Sequence, residues 1–216
     1  MASIQQFLLH ALEKENWPHR SDFLPRKTHK QLLASPWYPL LEEVYEELGG
    51  HDKPPSVSLE FTAELPGWAL MLDTEINFNR YRNITLRSEL YDELPSFPLN
   101  NYRRYCRMYE KDCIKVASAG RLWTNEEAEF HFGKSEAPGD LGLNGSASWK
   151  LRAYQDFYID LIQLMLPYKI MRMTVYDQLM VSGRMVKLKE LLLSQKSASV
   201  TLLGKYITRV AIRAKT

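Results

Sequence analysis

Two cysteines, Cys106 and Cys113, are all the thiol chemistry that 216 residues hold. That excludes a disulfide framework and fits a reducing compartment. The pair stands about two turns apart on a stretch with helical patterning, where a bond within the helix is not expected, so both thiols are read as packing groups. A glycine-rich phosphate loop and a Gly-x-Ser-x-Gly elbow are missing. The five histidines (His10, His19, His29, His51, His131) are scattered without paired ligand spacing, which argues against zinc. No run approaches the roughly 18–20 apolar residues that cross a bilayer. The start, Met1-Ala2-Ser3-Ile4-Gln5-Gln6, lacks the basic head and apolar core of a signal peptide. A cytoplasmic protein without membrane association is expected. Internal repeats and low-complexity tracts are absent from the sequence.

What is present is enough apolar material, 45%, for a full core. The length fits one compact domain, with residues 1–50 as an N-terminal helical region and 51–216 as an α/β core ending in a basic segment. Net charge is only +2, but it is unevenly spread. From Ser146 onward there are 12 Lys and Arg against 4 Asp and Glu; before it there are 16 against 22. Such an asymmetry points to a polyanionic partner for part of the surface.

Apolar spacing predicts a short helix over Ser3–Glu15, then a helical stretch from His29 to Leu48 interrupted near Pro36 and Pro39. Helical pattern continues after Arg82 to Tyr91, and again from Asn100 or Asn101 to about Ala119. On that last helix Tyr102, Tyr105, Cys106, Tyr109, Cys113 and Val116 share one side. Arg104, Arg107, Lys111 and Lys115 form a stripe on the other, which either tracks phosphates or is simply the wet face. Thr124 is read as the cap of a short acidic helix. Ser146 or Ser148 is read as the cap of a longer one, with Lys150 and Arg152 in a first turn where the helix dipole disfavours cations. Lys169–Tyr176 reads as a strand, Met185–Leu193 as helix and Ser199–Arg213 as one or two basic strands. The class is therefore α/β (α+β), a central mixed sheet with an antiparallel hairpin and flanking helices.

The hairpin carries the chemistry. Val57 to Leu65 alternates apolar and polar residues, the period of a half-buried strand. Pro66-Gly67 suits the centre of a type II turn. Trp68 to Phe78 is the second strand. Pairing Leu65 with Trp68 sets Glu60 opposite Asp73, and Glu75 points the same way as Asp73, as do Ala69 and Met71. Like charges opposed across a sheet repel. Three carboxylates on one patch either bind a hard cation such as Mg²⁺, Mn²⁺ or Ca²⁺, or mark a solvated face. Carboxylates beside cations suit metal-assisted hydrolysis of a phosphodiester.

A helix, a hairpin with an acid on each strand, then a helix and a further strand resembles the PD-(D/E)xK nuclease superfamily. The tail Phe78-Asn79-Arg80-Tyr81-Arg82 with Thr85-Leu86 is similar to the strand-to-helix junction of the branch related to very-short-patch repair endonucleases. The resemblance implies a restriction-endonuclease-like fold and a metal-dependent nuclease of restriction or repair type, using Mg²⁺ or Mn²⁺ on DNA, with a homodimer as the usual assembly. Glu60, Asp73 and Glu75 would hold the metal, Glu75 standing where the family usually has Lys. Glu43 or Glu47 would add a helix acid, and Lys150 would supply the missing catalytic cation. Arg80, Arg82, Arg104, Arg107, Lys111 and Arg152 would contact nucleic acid. Glu60 replaces the usual Asp and the preceding Pro is missing. An inactive nuclease-fold protein that binds nucleic acid or a protein partner is therefore the alternative.

Overall fold

The computed structural model describes residues 4–20, 28–194 and 196–213. Helices run over Ile4–Lys14 (α1), Thr28–Leu33 (α2), Tyr38–Glu47 (α3), Arg80–Thr85 (α4), Leu99–Ala117 (α5), Glu126–Phe132 (α6), Ala147–Ile162 (α7), Leu188–Ser194 (α8) and Ser197–Arg213 (α9). Strands run over Ala63–Leu65 (β1), Trp68–Asp73 (β2), Lys169–Thr174 (β3), Gln178–Val181 (β4) and Arg184–Lys187 (β5). The class is mixed α and β. The described residues fall into two compact units. One draws on Met1–Pro25, Leu59–Asp73 and Leu166–Thr216, the other on Arg26–Ser58 and Thr74–Met165.

In the first unit β1 pairs antiparallel with β2, and β2 pairs parallel with β3. Leu65 faces Trp68 across Pro66-Gly67, as the turn chemistry predicts; Gly67 takes a φ of +77°, which the second central position of a type II turn needs. Alternation sends Leu65, Trp68, Leu70, Met171 and Met173 to one face, where α1 and α9 supply Leu8, Leu12, Leu203 and Ile207. Burying each such side chain contributes about 1.5–3 kcal/mol. Ala69, Met71, Asp73, Arg172 and Thr174 point the other way. β4 and β5 form a separate two-stranded hairpin closed by Ser182-Gly183.

Three features of this unit depart from expectation. β1 covers only Ala63–Leu65 rather than beginning at Val57. The cause is local: the Thr62 hydroxyl accepts from the Leu72 N–H at 3.1 Å, taking the place of a ladder carbonyl. Glu60 therefore lies before the paired segment and is not opposite Asp73. Ser197–Arg213 is a helix, not basic strands, because Val200, Leu203, Ile207 and Ala211 recur at helical spacing and are all buried. Met185–Leu193 is divided, its first residues in β5 and the rest in α8.

The second unit is built around α7. Its apolar face is so broad that even Asp156, Asp160 and Lys150 are buried, as expected of a helix enclosed by others. Helices α3, α4 and α6 pack on it. Ser146 caps it by accepting from the Trp149 N–H, while its own hydroxyl donates to the Trp123 carbonyl. Strand character does not continue from β2 to Phe78. Thr74 and Asn77 instead close a capping box around a 3₁₀ turn, Glu75–Asn77. α6 is capped by Asn125, one residue later than expected, because the Thr124 hydroxyl is spent on Glu129. Helix α5 keeps Tyr102, Tyr105, Cys106 and Cys113 inside, while Val116 is exposed.

Candidate functional site

Asp73 ends β2, opposite Thr174 of β3. Arg172 lies two residues back along β3, on the same face. Its Nη1 donates to both Asp73 carboxylate oxygens, at 2.7 and 2.9 Å. The two residues are 1% and 7% exposed, Asp73 and Arg172 respectively. A buried carboxylate needs a paired, hydrogen-bonded counter-charge, and Arg172 supplies it. Asp177 follows β3; its Oδ2 accepts from the Thr174 N–H at 2.8 Å and from the Tyr206 hydroxyl at 2.6 Å. Burial pushes the Asp177 carboxyl above its ordinary range. The bonds from Tyr206 and Thr174 oppose that rise, and the neighbouring charge of Asp73 reinforces it.

The expected metal-binding patch is not assembled on the hairpin. Glu60 is exposed outside the ladder, and Glu75 opens the 3₁₀ turn that follows β2. Among the described residues, no group of three or more His, Cys, Asp or Glu side chains is disposed to hold a metal. An ion at Asp73 would first have to displace a guanidinium bonded to both oxygens. These residues do not fit Mg²⁺ or Mn²⁺. Glu43 and Glu47 line a cleft of about 310 Å³ on the second unit, together with Arg87, Ser88 and Glu89.

The expected phosphate contacts divide. Arg82 is 1% exposed and is consumed by Asp160, Thr85 and the Tyr91 ring hydroxyl, so it is a core residue and not a phosphate ligand. The Tyr91 hydroxyl also donates to Asp160 at 2.9 Å, which completes the network. Arg80 is exposed but paired with Glu110 at 2.9 Å, and it donates to the Leu141 carbonyl. Arg104, Arg107, Lys111 and Lys115 all lie on the exposed side of α5, and Arg152 is exposed on α7.

Lys150 is the unexpected member. It is 8% exposed, and among the described residues its Nζ hydrogen-bonds one group, the neutral Oδ1 of Asn144, at 2.6 Å. The Tyr81 ring lies beneath the ammonium, 5.7 Å to the centroid. Burial pulls its pKa below the ordinary lysine value. Two glycines lie close by. A Cβ on Gly49 would sit 3.4 Å from Nζ, and one on Gly133 would sit 3.3 Å from His51 Nε2 and 3.5 Å from Asn144 Nδ2. Asn144 is held by its own Nδ2, which donates to the carbonyls of Phe132 and Lys134. The Tyr45 hydroxyl donates to the His51 carbonyl at 2.7 Å and also contacts His131 Nδ1 at 3.2 Å. With the Tyr45 proton committed to a carbonyl, the Nδ1 contact has His131 as the donor. The sequence singles out Lys150 as a misplaced cation; His51, His131 and Asn144 carry no local signal that places them beside it.

No curated protein and no solved structure matches this chain. A family model described as "Family of unknown function (DUF7255)" matches residues 43–194. That span takes in β1 to β5 and α4 to α8, and with them Asp73, Arg172 and the surroundings of Lys150. The chain belongs to the DUF7255 family.

Proposed function

We propose that this protein binds nucleic acid on a nuclease-like frame without being a metal-dependent nuclease. The observation that carries the reading is the Arg172 clamp, which occupies both oxygens of the one carboxylate that the resemblance most needs as a metal ligand. The frame is supported by an antiparallel hairpin whose second strand pairs in parallel with a strand reached through a long helical crossover. The binding surface is the exposed face of α5, where Arg104, Arg107, Lys111 and Lys115 lie within successive turns. Cations at that spacing neutralise backbone phosphates and release counterions, giving affinity without base readout.

Fluorescence anisotropy with a labelled DNA duplex, across a salt series, tests the surface. Replacing Arg107 and Lys111 with Gln is expected to weaken binding for all sequences alike. It should also flatten the log–log salt dependence by about two contacts' worth. Binding that ignores both substitutions excludes α5 as the nucleic-acid surface. Plasmid incubated with Mn²⁺ tests the other half. Cleavage by the wild type, lost in Asp73→Ala, would restore the nuclease reading; retention without cutting supports the binder.

A further inference from the structure

We propose that the surroundings of Lys150 are a binding site for a phosphoryl group, separate from the α5 surface and independent of it. The starting point is an ammonium that has left water without meeting a carboxylate. Among the described residues its hydrogen-bond partner is an amide oxygen, and the Tyr81 ring adds a cation–π contact. Neither replaces the hydration of a charged amine. The helix makes this worse. Lys150 stands near the start of α7, and long helical side chains lean toward the N-terminus, so Nζ sits at the positive end of the dipole. An anion beside Nζ would answer both costs together.

Gly49 and Gly133 both take a positive φ, the region that favours glycine. Gly49 lies against Nζ, and Gly133 lies against His51 Nε2 and the Asn144 amide, so backbone without side chains borders both groups. Gly49 and His51 are exposed, so this bordering backbone meets solvent. The ammonium keeps two further N–H groups, and His51 Nε2 lies on the rim. Donors arriving from several directions suit a tetrahedral anion with three or four acceptor oxygens better than a planar carboxylate, which pairs best with an arginine fork. A free phosphate, a nucleotide and the 5′-phosphate of a nucleic-acid end all present this chemistry.

The test is isothermal titration of the full chain with inorganic phosphate, with a nucleoside 5′-monophosphate, and with an oligonucleotide carrying or lacking a 5′-phosphate. Acetate is the planar control. Phosphate is expected to bind at one site and to raise the melting temperature. Lys150→Met should weaken it by about tenfold or more, as loss of a charge-assisted bond implies. Lys150→Met should itself fold at least as stably as the wild type, since it removes a buried charge. His51→Ala, on the exposed rim, should weaken phosphate binding by a smaller factor. It carries the test alone if Lys150→Met does not fold. Tighter binding of the 5′-phosphorylated oligonucleotide supports the site and names a nucleic-acid end as its source. Response to the free anions alone supports it and names a small ligand. Acetate binding as tightly as phosphate, phosphate binding unchanged in both variants, or no phosphate binding at all overturns it. Because α5 is untouched by these substitutions, duplex binding can persist when this site fails, and the reverse holds equally.

Discussion

Arg172 reaches along β3 to hold both oxygens of Asp73 on β2, so the acid nearest the end of the hairpin's second strand is neutralised by its parallel neighbour. A carboxylate held this way is a structural anion. It ties two adjacent strands through their side chains as well as their ladder. It also ends the electrostatic argument for a cation there, since the charge that called for a metal is already met.

The same logic applies to Arg82 and Asp160, which are buried together in the second unit. Arg82→Met leaves Asp160 buried with its guanidinium gone. A loss of roughly 3–5 kcal/mol is expected in urea denaturation, the usual result of removing one partner of a buried pair. Replacing both with apolar residues should recover most of it. A single substitution that costs less than about 1 kcal/mol would show that the pair is solvated.

Burial pushes both the Cys106 and the Cys113 thiol up to about 12. The thiolate is the reactive form. Neither thiol should react with Ellman's reagent in the native protein at mildly alkaline pH, and both should react once urea unfolds it. Rapid labelling of either thiol in the folded state contradicts the packing role.

Asp177 gives a pH signature with a definite sign. Its folded-state pKa is raised above the ordinary 3.8, so the folded protein holds this proton more tightly than the unfolded chain. The resulting stability is fully present below the unfolded value and is lost as pH rises through the folded one. Asp177→Asn removes that dependence. The stability of the wild type relative to Asp177→Asn should therefore fall as pH climbs from acid toward neutral, measured as a difference in unfolding free energy at each pH. A difference that grows with pH would mean that Tyr206 and Thr174 outweigh burial.

Much of the fold is written in local sequence. Pro66-Gly67 sets the turn and the Leu65–Trp68 register, and alternation puts Ala69, Met71 and Asp73 on one face. Helical spacing finds α1, most of the two sides of α5 and the start of α7, where Ser146 rather than the alternative Ser148 is the cap. What stays hidden is decided by side chains acting on the backbone or by distant partners. The Thr62 hydroxyl cuts β1 short, and the Thr74–Asn77 capping box ends β2, so the acid pattern counted from an ideal hairpin does not form. Arg172 lies 99 residues from Asp73 and meets it only through parallel pairing. The C-terminal segment misleads because β-branched Val200, Thr201, Ile207, Thr208 and Val210 favour strands by propensity. The buried positions obey a helical period, and packing on α1 decides the outcome.

The central claim is tested most directly by the unfolding free energy of Asp73→Asn, measured with and without Mn²⁺. If Asp73 is the structural partner of Arg172, the variant leaves a buried guanidinium facing a neutral amide. It should lose roughly 3–5 kcal/mol, and Mn²⁺ should stabilise neither protein. If the variant is instead as stable as the wild type or more so, and Mn²⁺ raises the stability of the wild type alone, then Asp73 is a metal ligand and its pairing with Arg172 does not hold the strands together.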